Sequence, residues 1–136
     1  MIDVNIDDFY RDMATVLLAL YQQFPRKVTL YVEDICGPDE TDDFGLHSPR
    51  YLSALGAMIW LGDEGYIRYD SIAREEALDE ACLTQKGFSK MIRPFSTPAT
   101  AELPAINATL AHQLHNARME QDTLAIRRLL ESCLFS

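Results

Sequence analysis

Residues 48–92 constrain the fold of this chain more than any other stretch. They read as a helix (PRYLSALGAMIWLGDEG), a short strand (YIRY), an acidic turn (DSIAREEALDEA), a second short strand (CLT) and another helix (QKGFSKMI). Ser48 is a good N-cap, and Pro49 suits the first helical position, where its missing N–H is no loss. The helix over residues 49–62 is unusually apolar. Tyr51, Leu52, Leu55, Met58, Ile59, Trp60 and Leu61 cover more than half its circumference. A helix wetted on one side carries a narrower stripe. This one is therefore either buried on two sides or meets a partner with its outer face. Gly56 and Ala57 allow close approach of another element, and residues 62–65 (GDEG) end the helix. Strands are expected at 66–69 and 82–84, with residues 73–78 taken as a helical turn rather than a flat ribbon.

Upstream, Ile6, Phe9, Tyr10, Met13, Val16, Leu17, Leu20, Tyr21 and Phe24 recur at three- and four-residue steps, the signature of a long amphipathic helix. Asn5 is its expected cap, Asp7 and Asp8 suit its positive end, and Pro25 stops it. Residues 26–31 (RKVTLY) read as a strand, and residues 32–36 (VEDIC) as one or two helical turns ended by Gly37 and Pro38. An acidic loop follows over 37–47, with Phe44 as its expected buried anchor. Downstream, Thr84 caps a helix carrying Phe88, Met91 and Ile92. Residues 94–104 hold three prolines and two threonines and read as a linker. Beyond it, Ile106, Leu110, Leu114 and Ala117 form one stripe, and Leu124, Leu129, Leu130 and Cys133 a second. A break near Gln121 and Asp122 divides them into two helices.

The chain has 136 residues, which suits one domain with an appended element. Its 48% hydrophobic content supplies a core. The strongly apolar run over 54–61 is too short to span a bilayer. The opening MIDVNIDDFYRD is acidic where a secretory signal is basic and apolar, so a cytoplasmic location is expected, with no membrane partner. Twelve Lys/Arg oppose 21 Asp/Glu, a net charge of −9. Nucleic acid binds through cations that displace counterions, so the balance argues against non-specific affinity for it. The imbalance is local. Residues 1–93 carry nine basic and seventeen acidic side chains, and residues 94–136 three and four.

Groups that do chemistry are sparse. Cys36, Cys82 and Cys133 lie far apart, without the spacing of a zinc knuckle or redox pair, and read as small buried apolar residues. His112 and His115 share a helical face, but only Glu120 and Cys133 stand as remote further ligands. Asp39, Glu40, Asp42 and Asp43 lack the alternation, central Gly and terminal Glu of an EF-hand loop. Asp63 and Glu64 are adjacent and point apart. No phosphate-cradling glycine pattern or nucleophile elbow occurs. The expectation is a non-enzyme with no metal and no cofactor. Tyr51, Trp60, Tyr66 and Tyr69 have faces on which bases stack, yet such aromatics are more often core.

Two signatures carry a resemblance. WLGDEGYIRY, residues 60–69, looks like a recognition helix entering a wing strand. LTQKGFSKM, residues 83–91, looks like the second wing strand entering the next helix, with its Leu-Thr-x-x-Gly. With the element order over residues 6–93, they resemble the winged helix-turn-helix superfamily. The resemblance implies a mainly α (α+β) fold: a winged-helix domain with a small β wing over 1–93, the 94–104 linker, and a helical extension over 105–136. It also implies DNA reading, from which this chain departs. The acidic loop 37–47 replaces a three- or four-residue turn. The outward positions of the third helix are expected to be Arg50, Ser53, Ala54 and Ala57, with one strong base reader among them. These four, with Arg68 and Lys86, make up the candidate partner or DNA face. The expected function is a non-catalytic protein-interaction module, self-associating through its C-terminal helices. The alternative is a DNA-binding transcriptional regulator using Arg26, Lys27, Arg50, Arg68 and Lys86.

Overall fold

Helix α1 (Val4–Gln23) is the spine on which the other elements are assembled. The computed structural model describes residues 2–94 and 108–135. The residues expected to form the linker, and Ile106 of the first C-terminal stripe, lie largely outside them. The helix starts ahead of its expected cap. The Asp3 carbonyl accepts from the Ile6 and Asp7 amides at 3.1 and 3.3 Å, so Asn5 sits inside the first turn. Met13, Val16, Leu17 and Leu20 are buried along its core face, while Ile6 in the first turn is exposed.

Strand β1 (Val28–Tyr31) leads into α2 (Val32–Cys36), then the acidic loop, then α3 (Pro49–Asp63). Ser48 caps α3 as expected, its side chain accepting from the Tyr51 amide. Phe44 is 87% exposed and anchors nothing. The loop is held instead by polar contacts. Asp42 accepts from the amides of Phe44 and Leu46, both at 2.9 Å, which closes the turn without a hydrophobic plug.

The chain then forms a hairpin. Strands β2 (Ile67–Arg68) and β3 (Ser71–Ala73) are two pieces of one edge, paired in the same antiparallel register with β4 (Ala77–Leu83). Strand β1 pairs on the other side of β4, with a bulge where Glu80 adopts a left-handed φ of 53°. The tip is therefore ribbon and not the expected helical turn. Arg74 and Glu75 have φ of 53° and 59°, and the Glu76 amide donates to Ala73 O at 2.8 Å. Two successive left-handed residues match the twist of a two-stranded ribbon, although Asn and Gly usually fill them. Here the turn is pinned from inside. Tyr51 Oη donates to Glu75 O at 2.7 Å, and the Val32 amide to Glu76 O at 2.8 Å.

Helix α4 (Gln85–Met91) follows, capped by Thr84, whose oxygen accepts from the Gly87 amide. The last helices are α5 (Leu110–Met119), α6 (Thr123–Leu129) and a π-helical turn (Leu130–Leu134), with the expected break at Gln121. Both expected stripes fold back onto α1. Leu110, Leu114, Leu130, Cys133 and Leu134 join the same core as Met13 and Leu17, while Leu124 stays exposed. The expected self-association rested on a stripe left over. Most of both stripes is covered within the chain, so that reason for it lapses. The result is an α+β fold: helices around a small four-stranded antiparallel sheet. No helix among the described residues is long and apolar enough to cross a membrane.

Candidate functional site

The outer face of α3 is the surface the sequence singles out, and its phase differs from expectation. Ala54 and Ala57 are 0% and 3% exposed, so neither faces outward. Ser53 faces solvent as expected, and packing against α1 and the core turns Leu52 and Gly56 outward beside it, with Ile59 and Trp60 half-buried. The apolar face was too broad to fix the rotation. Gly56, an apparent packing residue, has open space where a Cβ would stand.

Arg50, the one strong base reader expected there, is turned toward α1. Its Nη1 and Nη2 donate to Asp12 Oδ2 and Oδ1 at 2.7 and 2.6 Å, and Asp8 Oδ2 lies 3.9 Å from its Nε. Asp12 is buried to 1% exposure. Burial raises its carboxyl above the ordinary range against the pull of Arg50, whose own proton is held more tightly by Asp12. This pair was not foreseen. Its signal was Asp8, Arg11, Asp12 and Thr15 recurring at helical spacing on an otherwise apolar element.

The first turn of α3 is walled by carboxylates. His47 stacks on Tyr51, ring centroids 3.7 Å apart at 7°, and its Nδ1 lies 3.0 Å from Asp39 Oδ2. Asp39 also accepts from Ser48, and that hydrogen bonding, with the His47 contact, holds its carboxyl below the ordinary value. Glu33, Asp34 and Glu76 complete the recess beside these rings. A phosphate approaching this helix end meets negative charge.

The other candidates do not extend the face. Arg68 lies with Lys27 around a shallow recess that also holds Asp70 and Glu80. Lys86 Nζ donates to Glu64 O at 3.0 Å and sits 4.2 Å above the Tyr66 ring. Cys36 is half-buried rather than buried; Cys82 and Cys133 are buried. His112 and His115 border a recess beside Tyr21. Among the described residues, no three His, Cys, Asp or Glu side chains gather as a metal site.

What does extend the face is aromatic. Trp60 meets Phe9 edge-on at 5.1 Å and Phe135 at 6.0 Å, and lies 6.4 Å from Tyr66. Phe9, Trp60, Ile6, Ser53 and Gly56 border one groove between α1 and α3. Comparison with family models, curated proteins and solved structures found no significant match to the chain.

Proposed function

We propose that this chain is a winged-helix module that binds a protein partner through the α1–α3 groove and does not read DNA. The reading takes α2 and α3 as the helix pair, and the β2–β3 edge with β4 as the wing. The observation that carries it is the state of Arg50, whose guanidinium edge is occupied by Asp12 at 2.6 and 2.7 Å and so is not offered to a base. On the same two helices the groove presents Ile6, Phe9 and Trp60, an apolar surface of the kind that marks interaction sites. Asp7 and Asp63 stand on the same two helices, with Asp3 and Glu64 at their cap positions. The complementary partner is an amphipathic helix with an apolar stripe and basic flanks.

Two measurements test it. Fluorescence anisotropy with random duplex DNA at physiological salt is expected to show no saturation in the range of ordinary non-specific binders, ~10⁻⁴–10⁻⁶ M. A micromolar, steeply salt-dependent dissociation constant would sink the reading in favour of a DNA-binding regulator. Affinity capture with the parent and with Gly56→Arg is expected to differ by the loss of a defined protein partner. Gly56 faces open space, so the variant folds while blocking the groove. Identical capture by both would remove the groove from the proposal.

A further inference from the structure

A second cleft, sharing no lining residue with the α1–α3 groove, gathers three of the chain's twelve cationic side chains. Arg11 comes from α1, Arg50 from α3 and Arg118 from the last turn of α5. The cleft has a volume of about 350 Å³, within the range of small-ligand sites.

The three guanidiniums are held differently. Arg50 is fixed by both oxygens of the buried Asp12. Arg11 is hydrogen-bonded to Asp8, and its Nη1 also donates to Thr123 Oγ1 at 3.5 Å. Asp8 and Asp12, one turn apart on α1, thus anchor two cations in place. Arg118 is exposed, and no carboxylate among the described residues pairs with it. Among the side chains that line the cleft, three cations stand against one carboxylate, Asp12, in a chain whose net charge is −9. Both Asp12 oxygens are already engaged by Arg50, so neither is left unpaired in the cleft. Thr123, having accepted from Arg11, keeps its own O–H to donate. Asp122, next in sequence, is committed to capping α6 through the Ala125 amide at 3.0 Å.

We infer that this cleft binds the oxyanion group of a small molecule, a phosphate or a carboxylate. Arg118 supplies the unpaired fork, and Arg11 and Arg50 form a preorganised cationic wall. Guanidinium forks match the oxygen spacing of both groups and bind them with two parallel hydrogen bonds. A concave site of this size suits a group on a small ligand rather than the backbone of a duplex.

The test is calorimetric titration of the full chain with inorganic phosphate and, separately, with succinate, at constant ionic strength. At least one is expected to bind saturably, and the responding arm tells phosphate from carboxylate. Arg118→Gln is expected to weaken that binding by about tenfold or more, the loss of one charge-assisted bidentate contact. Arg118 is exposed, so its substitution leaves the core intact, which a matching thermal melt checks. Lys86→Gln, which removes one positive charge outside the cleft, is expected to leave binding unchanged. No saturable binding of either anion, binding that survives Arg118→Gln, or equal weakening by Lys86→Gln would each overturn the assignment.

Discussion

Arg50 on α3 and Asp12 on α1 form a two-pronged pair, with hydrogen bonds of 2.7 and 2.6 Å and the carboxylate side chain 2% exposed. The partners are unequal, because the guanidinium side chain is 36% exposed and also neighbours Asp8. Removing Arg50 therefore strands a buried anion, whereas removing Asp12 leaves a cation that water and Asp8 still solvate. Arg50→Ala is expected to cost ~3 kcal/mol at pH 7, and Asp12→Ala about 1–2 kcal/mol. The deficit of Arg50→Ala should depend on pH. Without Arg50 the folded Asp12 carboxyl stands still further above its unfolded value of ~3.9. Its favourable contribution is complete below that value and is lost as pH rises through the folded one. Urea melts should show a small gap from the parent near pH 4 and the full gap at pH 7. A gap that does not change with pH would mean that Asp12 is not the stranded group.

Two helical glycines are expected to respond oppositely to alanine. A Cβ on Gly87 would stand 2.0 Å from Tyr66 O, so the start of α4 packs directly on the backbone that leads into β2. Gly87→Ala must push these elements apart, at a cost of ~1–3 kcal/mol or more. A Cβ on Gly56 meets nothing, and Gly56→Ala should stabilise by roughly 0.5–1 kcal/mol by removing backbone freedom from the unfolded chain. Thermal melts of the two variants check this. A tolerated Gly87→Ala would show that α4 is not seated on the Tyr66 carbonyl.

Features set by neighbouring residues were legible in the sequence. Ser48 with Pro49, Thr84, and the break at Gln121 are local punctuation, and each falls where the chain places it. Gly87 gives the Leu-Thr-x-x-Gly signature a physical cause, since any side chain there collides with backbone. Features set by distant partners were not legible. The rotation of α3 depends on its packing against α1 and the core, which buries Ala54 and Ala57 and leaves Leu52 in solvent. Asp12 carried no reading of its own in the sequence, because its partner lies 38 positions away. The hairpin tip looked helical because Arg74, Glu75 and Glu76 carry no hairpin signal of their own. Tyr51 and Val32, remote in sequence, hold it in left-handed conformations. Of the candidate site, Arg50 and Ser53 were named, but the groove and the arginine cleft required the tertiary structure.

The segment that enters β2 meets the C-terminal turn through a buried hydrogen bond, in which Tyr66 Oη donates to Leu134 O at 2.9 Å. Tyr66→Phe keeps the ring in place and leaves that carbonyl without this donor. The expected cost is about 1–2 kcal/mol. Hydrogen exchange should also show faster opening of the π-helical turn than of α1. Uniform acceleration across the chain would mean that the bond stabilises the fold globally and does not tie the C-terminus locally.

The acidic loop is tethered to α3 by the Asp39 carboxylate, which accepts from Ser48 and lies 3.0 Å from His47 Nδ1. Hydrogen bonding from Ser48, then from His47, holds the folded Asp39 carboxyl below its unfolded value of ~3.9. For a depressed carboxyl the stabilisation is present above the unfolded value and is lost as pH falls through the folded one. Asp39→Asn is nearly the same shape as the protonated acid, so it mimics the low-pH state at every pH. The parent should therefore be the more stable protein at pH 7. The two urea midpoints should converge as pH is lowered below about 4, because contributions from the other carboxylates cancel in the comparison. Hydrogen exchange at the Tyr51 amide, which donates to the Ser48 side chain, reads the same event locally. It should be slower in the parent at pH 7 and, after correction for intrinsic rates, alike in both proteins in acid. Midpoints that stay apart down to pH 2.5 would show that the charge on Asp39 is not what holds the loop against the helix.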